Sequence, residues 1–167
     1  KITIEKTTKK KIGAIMPVYV LGRFIDIDKL VQVSLKYGIP IIEDSTEALG
    51  SFKNGKHAGT YGLTGVLSFN GNKIISTGGG GIIMTNDINI AKRAKHITTT
   101  AKISSLDYFH DEVGYNYRLV NVLAAIGVAQ MEQLPSFVRK KQFIGKYYRE
   151  NLQGVGDIGF QHVNEKV

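Results

Sequence analysis

Three consecutive stretches constrain this chain more than anything else in it: "IGAIMPVYV" (12–20), "DIDKLVQVSLKYG" (26–38) and "IPIIED" (39–44). The outer two are apolar at nearly every position, the pattern of strands covered on both faces. The middle one gathers Ile27, Leu30, Val31, Val33 and Leu35 into an apolar face, offers Asp26 or Asp28 as a cap, and stops at Gly38. It reads as a helix. Strand, helix and strand within about 30 residues make a crossover unit, which joins parallel neighbours. The expected fold is therefore α/β, three-layered, with a mostly parallel sheet.

The rest of the chain extends that unit. "SFKNGKHAGTYG" (51–62) is a glycine-rich connection with turn chemistry. "TGVLSF" (64–69) and "GIIMTN" (81–86) are a third and a fourth strand, and a helix is expected to start near Asp87. The loop 98–116 is long and polar, which in a compact domain points to a functional or interface role. "YRLVNVLAAIGVAQMEQL" (117–134) is apolar almost all round, so a buried helix from Tyr117, packed between subunits, is expected. Pro135 is expected to break it, leaving "SFVRKKQFIGKYYREN" (136–151) as a separate amphipathic helix with Phe137, Ile144, Tyr147 and Tyr148 on one side. No element is expected after Gly154. Four strands with unexplained edges read as a piece of a larger protein.

Composition removes several function classes. At 167 residues the chain is long enough for one domain with a core, and 43% hydrophobic with 22% charged residues places it among ordinary globular proteins. It has no cysteine, hence no disulfide framework, thiolate nucleophile or cysteine-held metal. His57, His96, His110 and His162 show no ligand spacing, so no metal site is expected. No apolar run approaches the roughly 20 residues of a membrane span, and the polar, lysine-rich start lacks a signal-peptide pattern. A cytoplasmic protein without a membrane partner is the expectation. The net charge of +8 includes the cluster "TTKKK" (7–11), but the other cations are scattered and no RNA-binding aromatic motif is present. Nucleic acid is not the expected partner; the same field favours an anionic small molecule.

In an open parallel sheet, ligands bind beyond the carboxyl ends of the strands. Asp44 closes the second strand, Ser68 lies near the end of the third, and Lys73 follows in "SFNGNKIISTGGGG" (68–81). Taken alone, Lys73 is a surface lysine and Asp44 a turn cap. Together, an acid and an amine at neighbouring strand ends suit pyridoxal phosphate. The amine condenses with the aldehyde carbon, and the carboxylate keeps the pyridine nitrogen protonated. Ser68 is placed to hold the phosphate. The glycines 78–81 are either an anion nest or, preferably, the pliable turn back into the fourth strand. They are not a Walker loop, since no G-K-[ST] closes them.

The stretches "IIEDSTEALGS", "LSFNGNKIISTGGGGIIMTND" and "DEVGYNYRLVNVLAAIGVAQMEQL" resemble the nucleotide-sugar aminotransferases of the DegT/DnrJ type, fold-type I enzymes that use pyridoxal phosphate. "SFNGNKI" before four glycines and "HITTTAK" after them are most similar to the LegC-like subgroup, which aminates C4 of a UDP-linked 4-keto-6-deoxy-hexosamine toward legionaminic-acid-type sugars. The resemblance runs from about Ile12 to Tyr148. It implies that Lys73 is the Schiff-base lysine, Asp44 the partner of the pyridine nitrogen, Ser68 a phosphate ligand, and Asn116 a residue that reaches the cofactor phosphate of the neighbouring subunit in a homodimer with shared sites. It puts Glu47 beside the cofactor ring, where many members carry glutamine. It implies glutamate as amino donor and a nucleotide sugar as acceptor.

Residues 1–134 then represent the central and C-terminal part of an incomplete cofactor-binding large domain. Residues 135–167 form a linking helix toward a C-terminal small domain. Tyr19 stands where the family usually has histidine after "PV". Two other readings remain beside the transaminase. Related sugar dehydratases replace the lysine with histidine, and the lysine of "GNKI" argues against them. A truncated remnant without turnover is the other.

Overall fold

The computed structural model describes residues 3–104 and 106–161; His162 and the end of the linking segment lie outside them. A single 3-10 turn (Val20–Gly22) is followed by α1 (Ile27–Tyr37), β1 (Ile42–Asp44), β2 (Phe52–Lys53), β3 (Lys56–His57), β4 (Thr64–Ser68), β5 (Gly81–Met84), α2 (Ile88–Thr98) and α3 (Asn121–Leu152). The main sheet has the order β1-β4-β5. β1 and β4 run parallel with Asp44 opposite Val66, and β5 returns antiparallel on β4 with Ser68 opposite Gly81.

The first expected strand is reduced to two parallel bridges beside β1, Ile15 with Ile41 and Val18 with Asp44. Its ladder shows why. Ile15 donates to the Pro40 carbonyl and accepts from Ile42, the Pro17 carbonyl accepts from Asp44, and Tyr19 donates to the Asp44 carbonyl. The missing rung is the one Pro17 cannot supply, because it has no N–H. The crossover itself holds: α1 is capped by Asp26, whose side chain accepts from the Lys29 N–H, and ends on Gly38 at φ 64°.

The connection 51–62 contains an element that the glycines did not reveal. β2 and β3 form a hairpin around Asn54 (φ 52°) and Gly55 (φ 74°), the two left-handed residues that a tight hairpin turn requires. Behind it, Tyr19, Ile27, Ala48 and Ala58 make a small buried cluster, against which Phe24, Leu30, Val31 and Tyr61 pack.

Two expectations about the last third are corrected. α3 runs unbroken from 121 to 152 with Pro135 inside it, so there is one helix rather than two, and it starts four residues after Tyr117. A proline costs a helix one hydrogen bond and a clash with the preceding turn; more than 30 residues of helix propagate across that defect. Within the single chain the apolar first half is left uncovered, so the burial expected of it between subunits would have to come from another copy. α3 has no fully buried residue, and Val122, Ile126, Val128 and Met131 are all exposed. Among the described residues, no helix is long and apolar enough to cross a membrane.

Candidate active site

β1 and β4 end side by side, and the segments leaving them wall a cleft of about 710 Å³. Thr46, Glu47, Leu49 and Gly50 come from the chain after β1. Ser68, Asn72 and Lys73 come from the end of β4 and its following loop, and Val138, Lys141 and Gln142 from α3. The 3-10 turn closes the rim with Leu21, Gly22 and Arg23.

Lys73 reaches this cleft from a loop that is tied at its neck. Phe69 donates to the Gly80 carbonyl, Thr77 to the Phe69 carbonyl, and Lys73 itself to the Asn70 carbonyl. Gly78 and Gly80 sit at φ 83° and 85°, which lets the chain turn back into β5. Gly78 and Gly80 therefore supply the conformational freedom that the loop needs to turn into β5. Ile75 is fully buried beneath it. The Lys73 side chain is 15% exposed, and its Nζ lies 3.5 Å from Glu47 Oε1. That distance is longer than a strong hydrogen bond, so the amine is attracted without being locked.

Glu47 is held from the other side, where its Oε2 accepts from the Leu21 N–H at 2.7 Å. That hydrogen bond first, and the Lys73 ammonium after it, keep the Glu47 carboxyl below its usual range, while desolvation and the charge of Asp44 push it back up. Asp44 thus acts electrostatically on the group that touches Lys73. It sits at the tip of β1, half-buried, with Oδ1 accepting from the Thr46 N–H at 3.2 Å. It lies next to the cleft wall rather than on it, whereas Glu47, Ser68 and Lys73 line the cleft directly. The Ser68 hydroxyl accepts from the Asn70 N–H at 3.3 Å, a weak engagement.

Asn116 is not brought to this cleft. It is exposed and bridged to Thr99 beyond α2. It is not the cap of α3 either, since the cap position is Val120, without a side-chain bond.

One carboxylate escaped the sequence reading altogether. Glu43 is completely buried and accepts from the Tyr19 hydroxyl (2.5 Å) and from the backbone N–H groups of Gly59 (2.9 Å), Tyr61 (2.6 Å) and Gly62 (2.5 Å). Adjacent residues of a strand point to opposite faces, so Glu43 pins the loop into β4 on one face while Asp44 stands on the other. Burial, and then the bond to Glu43, push the Tyr19 phenol well up. The available signal was a charge inside an otherwise apolar strand, which is tolerated only when fully satisfied.

Elsewhere, His96, Asp111 and Glu112 bring ligand-type atoms within 4.8 Å of one another, but Arg93 forks onto Glu112 and gives the group its own cation. No spacing in the sequence joins α2 to residues 111–112, which is why this cluster was not seen there.

GDP-perosamine synthase of Escherichia coli O157:H7 is 39% identical over 155 residues, covering 93% of this chain and 43% of that protein. EpsN of Bacillus subtilis, provisionally described as a pyridoxal phosphate-dependent aminotransferase, is 40% identical over 147 residues, 88% of this chain and 38% of EpsN. Among solved structures, the aminotransferase TlmJ from Streptoalloteichus hindustanus superimposes with a TM-score of 0.81 at 30% identity, over 86% of this chain and 39% of TlmJ. The chain thus spans about two fifths of the length of these relatives. The profile of the DegT/DnrJ/EryC1/StrS aminotransferase family matches residues 1–167, and the chain belongs to that family.

Proposed function

We propose that this chain carries the cofactor-binding centre of a pyridoxal-phosphate-dependent aminotransferase acting on a nucleotide-linked keto sugar. The observation that carries the reading is the placement of Lys73. A largely buried amine stands in a cleft at the ends of parallel strands, 3.5 Å from one carboxylate and one strand tip from another. The donor set fits the cofactor: an amine for its aldehyde, an acid for its ring nitrogen, and a hydroxyl, Ser68, for its phosphate.

Bound pyridoxal phosphate supplies a ring that withdraws electrons from the carbon bearing the transferred amine. The residues of this chain do the rest. Asp44 holds a proton on the ring nitrogen and so preserves that electron demand. Lys73 Nζ would hold the cofactor through its aldehyde carbon and, as a free amine, would take and return protons at the carbons that exchange them. Glu47, 3.5 Å from Nζ, would keep the Lys73 side chain within reach of the site. Ser68 fixes the phosphate end. Asn116 is read as a contact to the cofactor of a neighbouring subunit in a homodimer with shared sites; its exposure and its distance from its own cleft support that reading.

In finer detail, we assign the acceptor as a 4-keto-6-deoxy sugar nucleotide and the donor as glutamate. The stretch "SFNGNKI" with its four following glycines supports a LegC-like role in making surface or capsular amino sugars. Residues 1–134 are read as part of the large domain, and the segment from Pro135 as the start of a link to a small domain.

Absorbance tests the proposal. Pyridoxal phosphate added to the protein should give a protein-linked band that glutamate converts to the amine form, and Lys73→Ala should lack the band. A band equally strong in Lys73→Ala overturns the assignment, and no band in the unmutated protein favours the remnant.

A further inference from the structure

Gln130 on α3 grips the backbone of a single residue in the lysine loop. Its Oε1 accepts from the Ser76 N–H at 2.9 Å, and its Nε2 donates to the Ser76 carbonyl at 2.5 Å. Both hydrogen-bonding groups of that residue are thus satisfied by one side-chain amide from an element 54 residues away in sequence. Ser76 is also the internal hub of the loop: its hydroxyl donates to the Phe69 carbonyl at 3.1 Å and accepts from the Gly78 N–H at 2.9 Å. Lys73 lies three residues before this hub. The helix approaches closely here, since a Cβ on Gly127 would press on the Thr77 methyl at 3.2 Å. None of these contacts lines the cleft, and nothing in Gln130 touches the reacting groups.

We propose that Gln130 is a positioning residue for Lys73: it fixes the 69–80 loop to α3, so that the amine is presented at one place in the cleft. The inference rests on the reading of Lys73 as the cofactor lysine. A paired donor and acceptor make the grip selective. Alanine loses both hydrogen bonds. An ionised glutamate keeps an acceptor for the Ser76 N–H but turns its second oxygen on the Ser76 carbonyl, where two acceptors repel. Gln133 provides a control on the same helix, since its amide bonds only the Ala129 carbonyl within α3.

The test has two readouts, and the first needs no cofactor. Amide hydrogen exchange across 70–80 is compared in the unmutated protein, Gln130→Ala, Gln130→Glu and Gln133→Ala. Then each protein is titrated with pyridoxal phosphate, reduced with borohydride, and mapped for the adduct on Lys73. Loss of two partly buried hydrogen bonds corresponds to a change on the order of tenfold to a hundredfold. Loop exchange should speed up, and cofactor affinity at Lys73 should fall, by that factor in Gln130→Ala and Gln130→Glu, with Gln133→Ala unchanged. Gln130→Glu preserves side-chain length and serves if the alanine variant folds poorly. Exchange and affinity matching the unmutated protein in both Gln130 variants overturn the inference alone. No adduct on Lys73 in the unmutated protein overturns the proposed function, and the positioning role falls with it.

Discussion

The surroundings of β1 and the α3 side of the molecule obey opposite rules. Around β1, Glu43 is wholly buried with four donors upon it, Ser45 is buried and bonded, and no buried side-chain polar atom among the described residues lacks a partner. On the α3 side, the apolar residues face outward: Leu106, Tyr108, Val113 and Tyr117 in the preceding loop, then Val122 and Val128 on the helix. The first region is complete within this chain. The second exposes an apolar surface of the kind that marks an interaction site. The sheet end that positions Asp44 thus depends on local hydrogen bonding, whereas α3 adds only partial cover and the Gln130 grip.

The sharpest way to break this contrast is Glu43→Gln. It keeps the shape but sets an amide N–H₂ against backbone donors. A loss of about 3 kcal/mol or more in urea unfolding is expected; a value near zero would mean that the carboxylate does not organise the chain around β1. Next comes Tyr19→Phe, which removes one of the four donors and leaves the three backbone N–H groups, with an expected cost of about 1–2 kcal/mol by the same measurement. Val128→Ser on the exposed face should change the stability of the single chain by less than about 0.5 kcal/mol, and a larger loss would show that α3 is packed in a way its exposure denies.

The smallest effect is electrostatic. Arg93 holds the Glu112 carboxyl below its usual range. A depressed folded-state value stabilises above the ordinary carboxylate range, and that contribution is lost as pH falls through the folded value. Glu112→Gln should flatten this small acid-side decline in thermal midpoint and leave the midpoint at neutral pH almost unchanged, because the pair is exposed.

How far the sequence revealed the molecule follows the same division. The start of α1 at Asp26 or Asp28, the start of α2 near Asp87, the stop at Gly38 and the strands of β1, β4 and β5 were legible because local chemistry decides them; the structure makes Asp26 and Asp87 the caps. The strand-end rule put Asp44, Ser68 and Lys73 near one another; in the structure Ser68 and Lys73 line the cleft together with Glu47, which only the resemblance had named, and Asp44 does not line it. The apolar stretch 117–134 states what the helix can cover, not what covers it, and within the single chain it stands uncovered. Pro135 was overweighted as a breaker, since its local penalty is offset by helix on both sides. Glu43 was missed because satisfaction by Gly59, Tyr61 and Gly62 is a tertiary fact. Gln130 was missed for the same reason.

The most direct measurement is a crystal structure of the protein loaded with pyridoxal phosphate. The expected result is a covalent link from Lys73 Nζ to the cofactor's aldehyde carbon, with an Asp44 carboxylate oxygen about 2.7–3.0 Å from the ring nitrogen. A cofactor bound outside this cleft, or one whose ring nitrogen faces solvent with Asp44 turned away, would contradict the pairing of that acid and that amine on one ligand.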